Sequence, residues 1–558
     1  MKFEIPKGTG TYADSLHAIG TASLLVEISN GKTNITDKGS FFEINCSSAL
    51  SVEQWREPNP GFRYIWLKSK EDRPPGELFM DYEEEKLRAE AQKKLSEEMR
   101  KFSKKISQEQ GNDNIDAPDP EYRQAAIFAS MRKGWSSDKD VYRFVMKEPA
   151  EALQWIKHEL FHEGKKKKTP VNVTSSQIFN PATGKSVHAA KTIAKSPSAI
   201  SQEVINPFAE WMKYRGANNA MLAYRNGDDF KFFVIEPANI GVTAISELRT
   251  KLRDLNLWGG IRLDIHASLR LAELLIMRSD VMEQDGINLR GKALPKVVKG
   301  LRQAFFKNLG MGAALMNDAF LPLPDWFVLE DKEDANKFIG IIREHIGDTE
   351  NGGCLNSLKE DHSDDVPILQ QYRKWLTTSD INDFLYFHAI FAEHIIKKRA
   401  IKEWVREFTE KNLNIIFIRR YGLKEIVENN GFVNIARAIR NSTISSFKKP
   451  DGKWHSGFET QFGMAQEWKQ KIKGGIQVFM PIISDFIVKH NWEAVHKLKK
   501  NSPPVSQDDL NDLIQLIEKH GLELVAMLLL AYGYARASKR DDEPAEQEQS
   551  EQNEKEEN

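Results

Sequence analysis

The sequence predicts an α+β protein: a mixed α/β N-terminal region followed by an all-α C-terminal helical bundle. Two observations carry this. Short apolar runs bounded by turn residues are confined to the first half, the clearest being 230–235 between Gly227 and Pro237. From 331 to 535 the apolar residues recur at helical spacing, with breaks only near 348–353, 449–452 and 502–504. No internal repeat is visible.

Taken in order, Thr11 and Asp14 have capping-box-like spacing ahead of Leu16, Ile19, Ala22 and Leu25, a helical core face. Gly20 within that face predicts a close packing neighbour. Residues 34–37 and 41–45 read as strands joined by Asp37-Lys38-Gly39, and 64–68 as another. A charged helix with a narrow apolar seam follows at 82–106. Helices are expected at 121–133, 138–161, 203–215, 244–255 and 263–278, and a long one at 295–318, broken at Gly310-Met311-Gly312. The predicted domains are 1–407, 408–540 and a disordered acidic tail, 541–558.

The 558 residues are 40% hydrophobic and 28% charged, which indicates a globular protein of several domains. Two distant cysteines, Cys46 and Cys354, argue against a disulfide framework and fit a reducing cytoplasm. No signal peptide or membrane span is read. The net charge of −1 hides an asymmetry. The tail from Asp541 has nine acids against one lysine, leaving residues 1–540 at net +7.

Between Gly164 and Arg215 nine basic residues face only Glu203 and Glu210. They include Lys165, Lys166, Lys167, Lys168, Lys185 and Lys191, interrupted by the loop Asn180-Pro181-Ala182-Thr183-Gly184-Lys185. Such a stretch suits phosphate backbones, and it also describes a solvated lysine-rich loop. The Gly-Lys-Ser ending lacks the first glycine of a P-loop, since position 179 is Phe. His158-Glu159-Leu160-Phe161-His162 spells H-E-x-x-H, the two-histidine pattern of zinc hydrolases. Four lysines follow at once and no third ligand is evident, so surface histidines near a helix end are the simpler account. A second basic region is helical. Arg437, Arg440 and Asn441 are expected on the face opposite Ile435 and Ile439, pointing outward towards a nucleic-acid backbone.

Several motifs occur in a consistent order: the Asn180 loop, the helix 208–214 leading to the strand 230–237, Phe305-Phe306-Lys307-Asn308-Leu309-Gly310, Leu323-Pro324-Asp325-Trp326, and Asn434-Ile435-Ala436-Arg437-Ala438-Ile439-Arg440-Asn441-Ser442-Thr443. With the last helices, 508–517 and 521–534, they resemble the large subunit of type I CRISPR effector (Cascade) complexes. The resemblance implies a non-catalytic protein of antiviral defence with no zinc site and no cofactor. It implies recognition of the protospacer-adjacent motif by the N-terminal region and stabilisation of the R-loop by the C-terminal bundle. The implied partners are crRNA, target DNA, the backbone, crRNA 5′-end-binding and small subunits, and a helicase-nuclease, with no membrane. The candidate DNA contacts are then Lys165, Lys166, Lys167, Lys168, Asn180, Lys185, Lys191, Arg437, Arg440 and Asn441, with Asn180 as the base reader because an amide both donates and accepts. The alternatives are a zinc hydrolase at His158 and His162, or a protein-binding scaffold using the 82–106 helix and the tail.

Overall fold

The structure, a computed structural model, describes residues 1–50, 64–66, 79–102, 119–130, 141, 144, 147–161, 177–181, 206–309, 313–325, 328–348, 350–447, 458–496 and 503–537. The acidic tail lies outside them. The chain forms two compact units, Met1–Ala335 and Asn336–Asn558. The first is mixed α/β with two antiparallel sheets and the second is largely helical, which is the α+β class expected. No helix among the described residues is long and apolar enough to cross a membrane.

In the first unit, β1 (Lys2–Pro6), β2 (Thr33–Asp37), β3 (Phe41–Cys46) and β8 (Asn239–Gly241) form one sheet in the order β1-β3-β2-β8. The other joins β6 (Met221–Asn226), β7 (Asp229–Pro237), β9 (Val298–Asn308) and β10 (Ala313–Pro322) in the order β10-β9-β7-β6. A short parallel pair is made by β4 (Tyr64–Trp66) and β5 (Phe79–Asp81). The helices are α1 (Tyr12–Ser29), α2 (Tyr82–Phe102), α3 (Tyr122–Ser130), α4 (Pro149–Phe161), α5 (Pro207–Ala220), α6 (Val242–Asp254) and α7 (Ile261–Met277).

The unit is built around α1, which packs on β1, β2, β3, β7 and α5. Its cap is more elaborate than the spacing predicts. Thr11 accepts from the Ala13 N–H, and the Asp14 carboxylate gathers the N–H groups of Gly8 (3.2 Å), Thr9 (3.1 Å) and Gly10 (2.8 Å). The neighbour predicted for Gly20 is α5. A Cβ on Gly20 would sit 1.8 Å from the Met212 carbonyl oxygen, and one on Gly216 would sit 2.0 Å from that of Leu16. The two helices therefore meet backbone to backbone, an approach open only to glycine.

The helix expected at 295–318 is instead the hairpin β9–β10. Val298, Leu301 and Ala304 recur every third residue and mimic a helix face. β9 is an inner strand, paired with β7 on one side and β10 on the other, and its burial does not alternate cleanly. Phe306 lies opposite Phe230 and makes an edge contact with Phe232 at 5.6 Å. A Cβ on Gly300 would lie 2.1 Å from the Leu321 carbonyl oxygen, so this glycine permits the tight pairing.

In the second unit, α8 (Lys332–Ile346), α9 (Val366–Thr378), α10 (Ile381–Ala400), α11 (Glu410–Tyr421), α12 (Lys424–Val427), α13 (Asn430–Ser442), α14 (Met464–Lys471), α15 (Ile476–His496), α16 (Gln507–His520) and α17 (Leu522–Gly533) follow one another, with the unit starting inside α8. An aromatic cluster joins its first half. Trp375 stacks on Phe384 at 4.0 Å, and Phe408 meets Phe391 at 5.3 Å and His345 at 4.9 Å. A segment cut at 408, the boundary read from the sequence, would leave the partners of Phe408 behind. Burial holds His345 and His388 neutral, with pKa values lowered to about 3.

Two measurements check this packing. Gly216→Ala is expected to cost about 3 kcal/mol in urea unfolding, because two backbones must separate. Gly340→Ala, on an open face of α8 with nothing within 4 Å, should instead stabilise by about 0.5–1 kcal/mol. The depressed histidine pKa values mean that the unfolded state binds protons first as the pH falls. The stability they contribute is complete above about pH 6.5 and is lost progressively towards pH 3. Replacing His388 by Leu should make that loss shallower in urea titrations across the same range.

Candidate nucleic-acid interface

The basic stretch begins just after α4 and runs into α5, and the end of α4 is bonded to the residue that caps α5. Asn206 caps α5 by accepting from the Phe208 and Ala209 N–H groups, and its Nδ2 donates to the Glu159 carboxylate at 3.3 Å. Pro207 follows at the first helical position, where its fixed φ suits the turn. Trp155 of α4 stacks on Trp211 of α5 at 5.8 Å, and Phe161 meets Phe3 at 5.1 Å.

The middle of the stretch is pinned to the same place. Tyr12 donates its hydroxyl to the Ile178 carbonyl at 2.5 Å, and Phe179 lies edge-on to Tyr214 at 5.9 Å. Asn180 is only 6% exposed. Its Nδ2 donates to Glu210 at 2.8 Å, while Lys213 donates to Asn180 Oδ1 at 2.5 Å and to Glu210 at 2.7 Å. Both ends of the Asn180 amide are thus committed to protein groups. This corrects the expectation of a base-reading amide: Asn180 roots the loop. Burial, reinforced by the Lys213 charge, also holds the neighbouring His17 neutral with a pKa of about 4. Sequence reading counted Glu210 as an opposing charge and missed it as a partner, although its i,i+3 spacing to Lys213 was the available signal.

Lys165, Lys166, Lys167, Lys168, Lys185 and Lys191 lie outside the described residues, as does His162. Of the H-E-x-x-H pattern, His158 and Glu159 close α4, and Glu159 serves Asn206. Among the described residues no group of three His, Cys, Asp or Glu side chains could hold a metal ion.

In the second unit α13 is gripped by two helices. A Cβ on Gly431 would lie 2.5 Å from the Asp509 carbonyl oxygen of α16, and one on Gly533 of α17 would lie 2.4 Å from Ile439. Ile435 and Ile439 are fully buried, as expected. Arg440 is not outward. It is 6% exposed, and it donates from Nε to the Ala535 carbonyl at 2.6 Å and from Nη2 to that of Tyr532 at 3.0 Å, with Glu410 at 3.5 Å. The physical reason is the end of α17, whose last carbonyls lack intrahelical partners and draw the guanidinium in. Arg437 and Asn441 are half-buried on the remaining face. No ion pair of Arg437 occurs among the described residues. Burial opposes ionisation of the nearby Asp509, but hydrogen bonds from Asn434 and Ser506 and the Arg437 charge outweigh it and hold its carboxyl below the usual range.

One further alignment invites a catalytic reading. His394 Nε2 lies 3.2 Å from Ser357 Oγ, and its Nδ1 lies 3.2 Å from Asp365. The Ser357 hydroxyl also reaches the Cys354 carbonyl at 3.2 Å, and the neighbouring cavity of about 610 Å³ is lined by Asp365 and His394 but not by Ser357. A nucleophile must face its substrate, so this line is a strut between the 354–357 turn, α9 and α10.

No protein-family model matches the chain, and no curated protein matches it. The two arginines of α13 separate cleanly by substitution. Arg440→Ala takes the guanidinium from the Ala535 and Tyr532 carbonyls and from Glu410, and is expected to cost about 2–4 kcal/mol in urea unfolding. Arg437→Ala is expected to stay within about 0.5 kcal/mol of the parent.

Proposed function

We propose that the chain is a non-catalytic, DNA-binding large subunit of an RNA-guided surveillance complex of the type I CRISPR kind. In this reading guide RNA supplies most sequence specificity by base pairing, while the protein reads a short duplex motif and holds backbones. The observation that carries the proposal is the tethering of the basic stretch. Segments 162–176 and 182–205 hold seven lysines, and the described residues that flank them are fastened to the body: Glu159 to Asn206, Ile178 to Tyr12 of α1, and Asn180 to Glu210 and Lys213 of α5. Charge that must meet a phosphate backbone gains from a fixed origin, because less ordering is needed at the moment of binding. The motif order set out above supports the choice of this family over a general cation-rich protein. On the second unit, Arg437 and Asn441 are the proposed contacts to the displaced strand. Arg440 and Asn180 support their elements from inside.

Changing Lys165, Lys166, Lys167 and Lys168 together to Ala tests the reading. Duplex affinity is expected to fall, and the slope of log affinity against log salt to decrease by about 3 to 4, as fewer counterions are released. An unchanged slope in filter-binding or anisotropy measurements would identify the run as a solvated loop.

A further inference from the structure

A second place in the first unit has the chemistry of a ligand site, away from the lysine stretch. α3 is docked on β6, the edge strand of its sheet. Gln124, buried on α3, donates to the Ala223 carbonyl at 3.0 Å and accepts from the Ala223 N–H at 2.5 Å, replacing the missing neighbour strand. Arg249 donates to the Met221 carbonyl at 3.0 Å and, with Arg253, holds Glu121 just ahead of α3. Burial opposes ionisation of Glu121, but the two guanidiniums outweigh it and keep its carboxyl below the usual range.

Above the Gln124 pairing lies a cavity of about 290 Å³. Tyr122, Ala126, Ile127 and Leu257 give it apolar walls, and Arg123, Arg225 and Arg253 stand at its lining. These arginines are not equivalent. Arg253 is neutralised by Glu121 and Asp254. Arg123 donates to the neutral Asn256, and Arg225 lies over the Phe230 ring at 5.6 Å. Neither Arg123 nor Arg225 has a carboxylate partner among the described residues, and both are exposed. One residue beyond Leu257 in the chain, Trp258 is 71% exposed, with Arg262 over its ring at 5.5 Å.

Two unneutralised guanidiniums call for an anion, and guanidinium forks fit phosphate. The apolar, aromatic walls call for a flat group attached to it. The volume is at the lower end of small-ligand pockets, suited to one nucleotide and too small for a base pair. We propose that the pocket receives one unpaired nucleotide of a nucleic-acid strand: its phosphate lies on Arg123 and Arg225, its base lies against Tyr122, Ile127 and Leu257, and an adjacent base stacks on Trp258. A duplex cannot enter, because its bases are already stacked and paired. The choice of a strand as ligand rests on the nucleic-acid reading above; the pocket and its unpaired arginines do not.

The test uses the full chain and a fluorescein-labelled oligothymidylate of about twelve nucleotides, alongside a duplex of matched length. Arg123→Ala with Arg225→Ala is expected to weaken single-strand binding about tenfold and to lower its salt slope by about 1.4, leaving duplex binding within about twofold. Ala126→Phe, which fills the cavity and leaves every charge in place, is expected to weaken single-strand binding comparably. Oligouridylate and free thymidine monophosphate serve as competitors. The monophosphate is expected to compete only at concentrations well above those of the strand; displacement of the strand at equal or lower concentration would make a free nucleotide the ligand and overturn the proposal. Equal loss of single-strand and duplex binding in the double variant would reduce the site to a basic patch. Unchanged binding by Ala126→Phe, with an unchanged melting temperature, would show that the cavity is not entered. A parent chain that binds neither probe overturns both this site and the DNA-binding reading. A parent that binds both, with pocket variants indistinguishable from it, overturns this site alone.

Discussion

The contact between Gly20 and Gly216 is the constraint on which the first unit depends. A helix pair normally stands 8–10 Å apart on its side chains. Here each helix sets a carbonyl oxygen where the other lacks a Cβ. That fixes how α5 is rotated against α1, while the Asn206 cap and Pro207 set where it begins. Arg215 is turned inward to Glu27 at 2.6 Å and Trp211 towards α4, while Glu210 and Lys213 are brought to Asn180. The strand β6 leaves α5 directly, so the position of one sheet edge is inherited from the same crossing.

The two units handle buried charge in a consistent way. Lys231 meets Asp264 at 2.7 Å and also donates to the Gly260 carbonyl, and Arg440 meets Glu410 and two helix-end carbonyls. Pairs of this kind add little net stability over apolar replacements, but breaking one partner leaves a costly charge. They therefore specify where elements end and which neighbours they take. The exposed Arg123 and Arg225 and the half-buried Arg437 have no carboxylate partner among the described residues.

Much of this architecture was legible in the residues. Local signals worked where one element determines its own pattern: Gly227 and Pro237 bracket β7, Asp37-Lys38-Gly39 turns β2 into β3, and Gly20 announces a close neighbour. They failed where a distant partner decides. The threefold recurrence in β9 looks helical until β7 and β10 flank it. Helical angles place Arg440 beside Arg437, yet the open end of α17 pulls it inside. Asn180 has the side chain of a base reader, and only the fold reveals that Glu210 and Lys213 already occupy it. Periodicity describes what a segment can present; it carries no information on what has already been claimed by a contact far along the chain.

Arg440 also sets an order of events for the second unit. Its carbonyl partners lie 92 and 95 residues later in the chain. During synthesis the α13 arginine can meet Glu410 of the earlier α11, but the two carbonyls that complete its burial come much later, and a charge only partly matched favours water. The apolar faces of α13 are thus held back from final closure until α17 has formed and offered its last carbonyls. Closing so long a loop is slow relative to making any of the intervening helices. The second unit is therefore expected to pass through a stage with its helices made and its interior still open, and the last helix in the unit is the one that locks it.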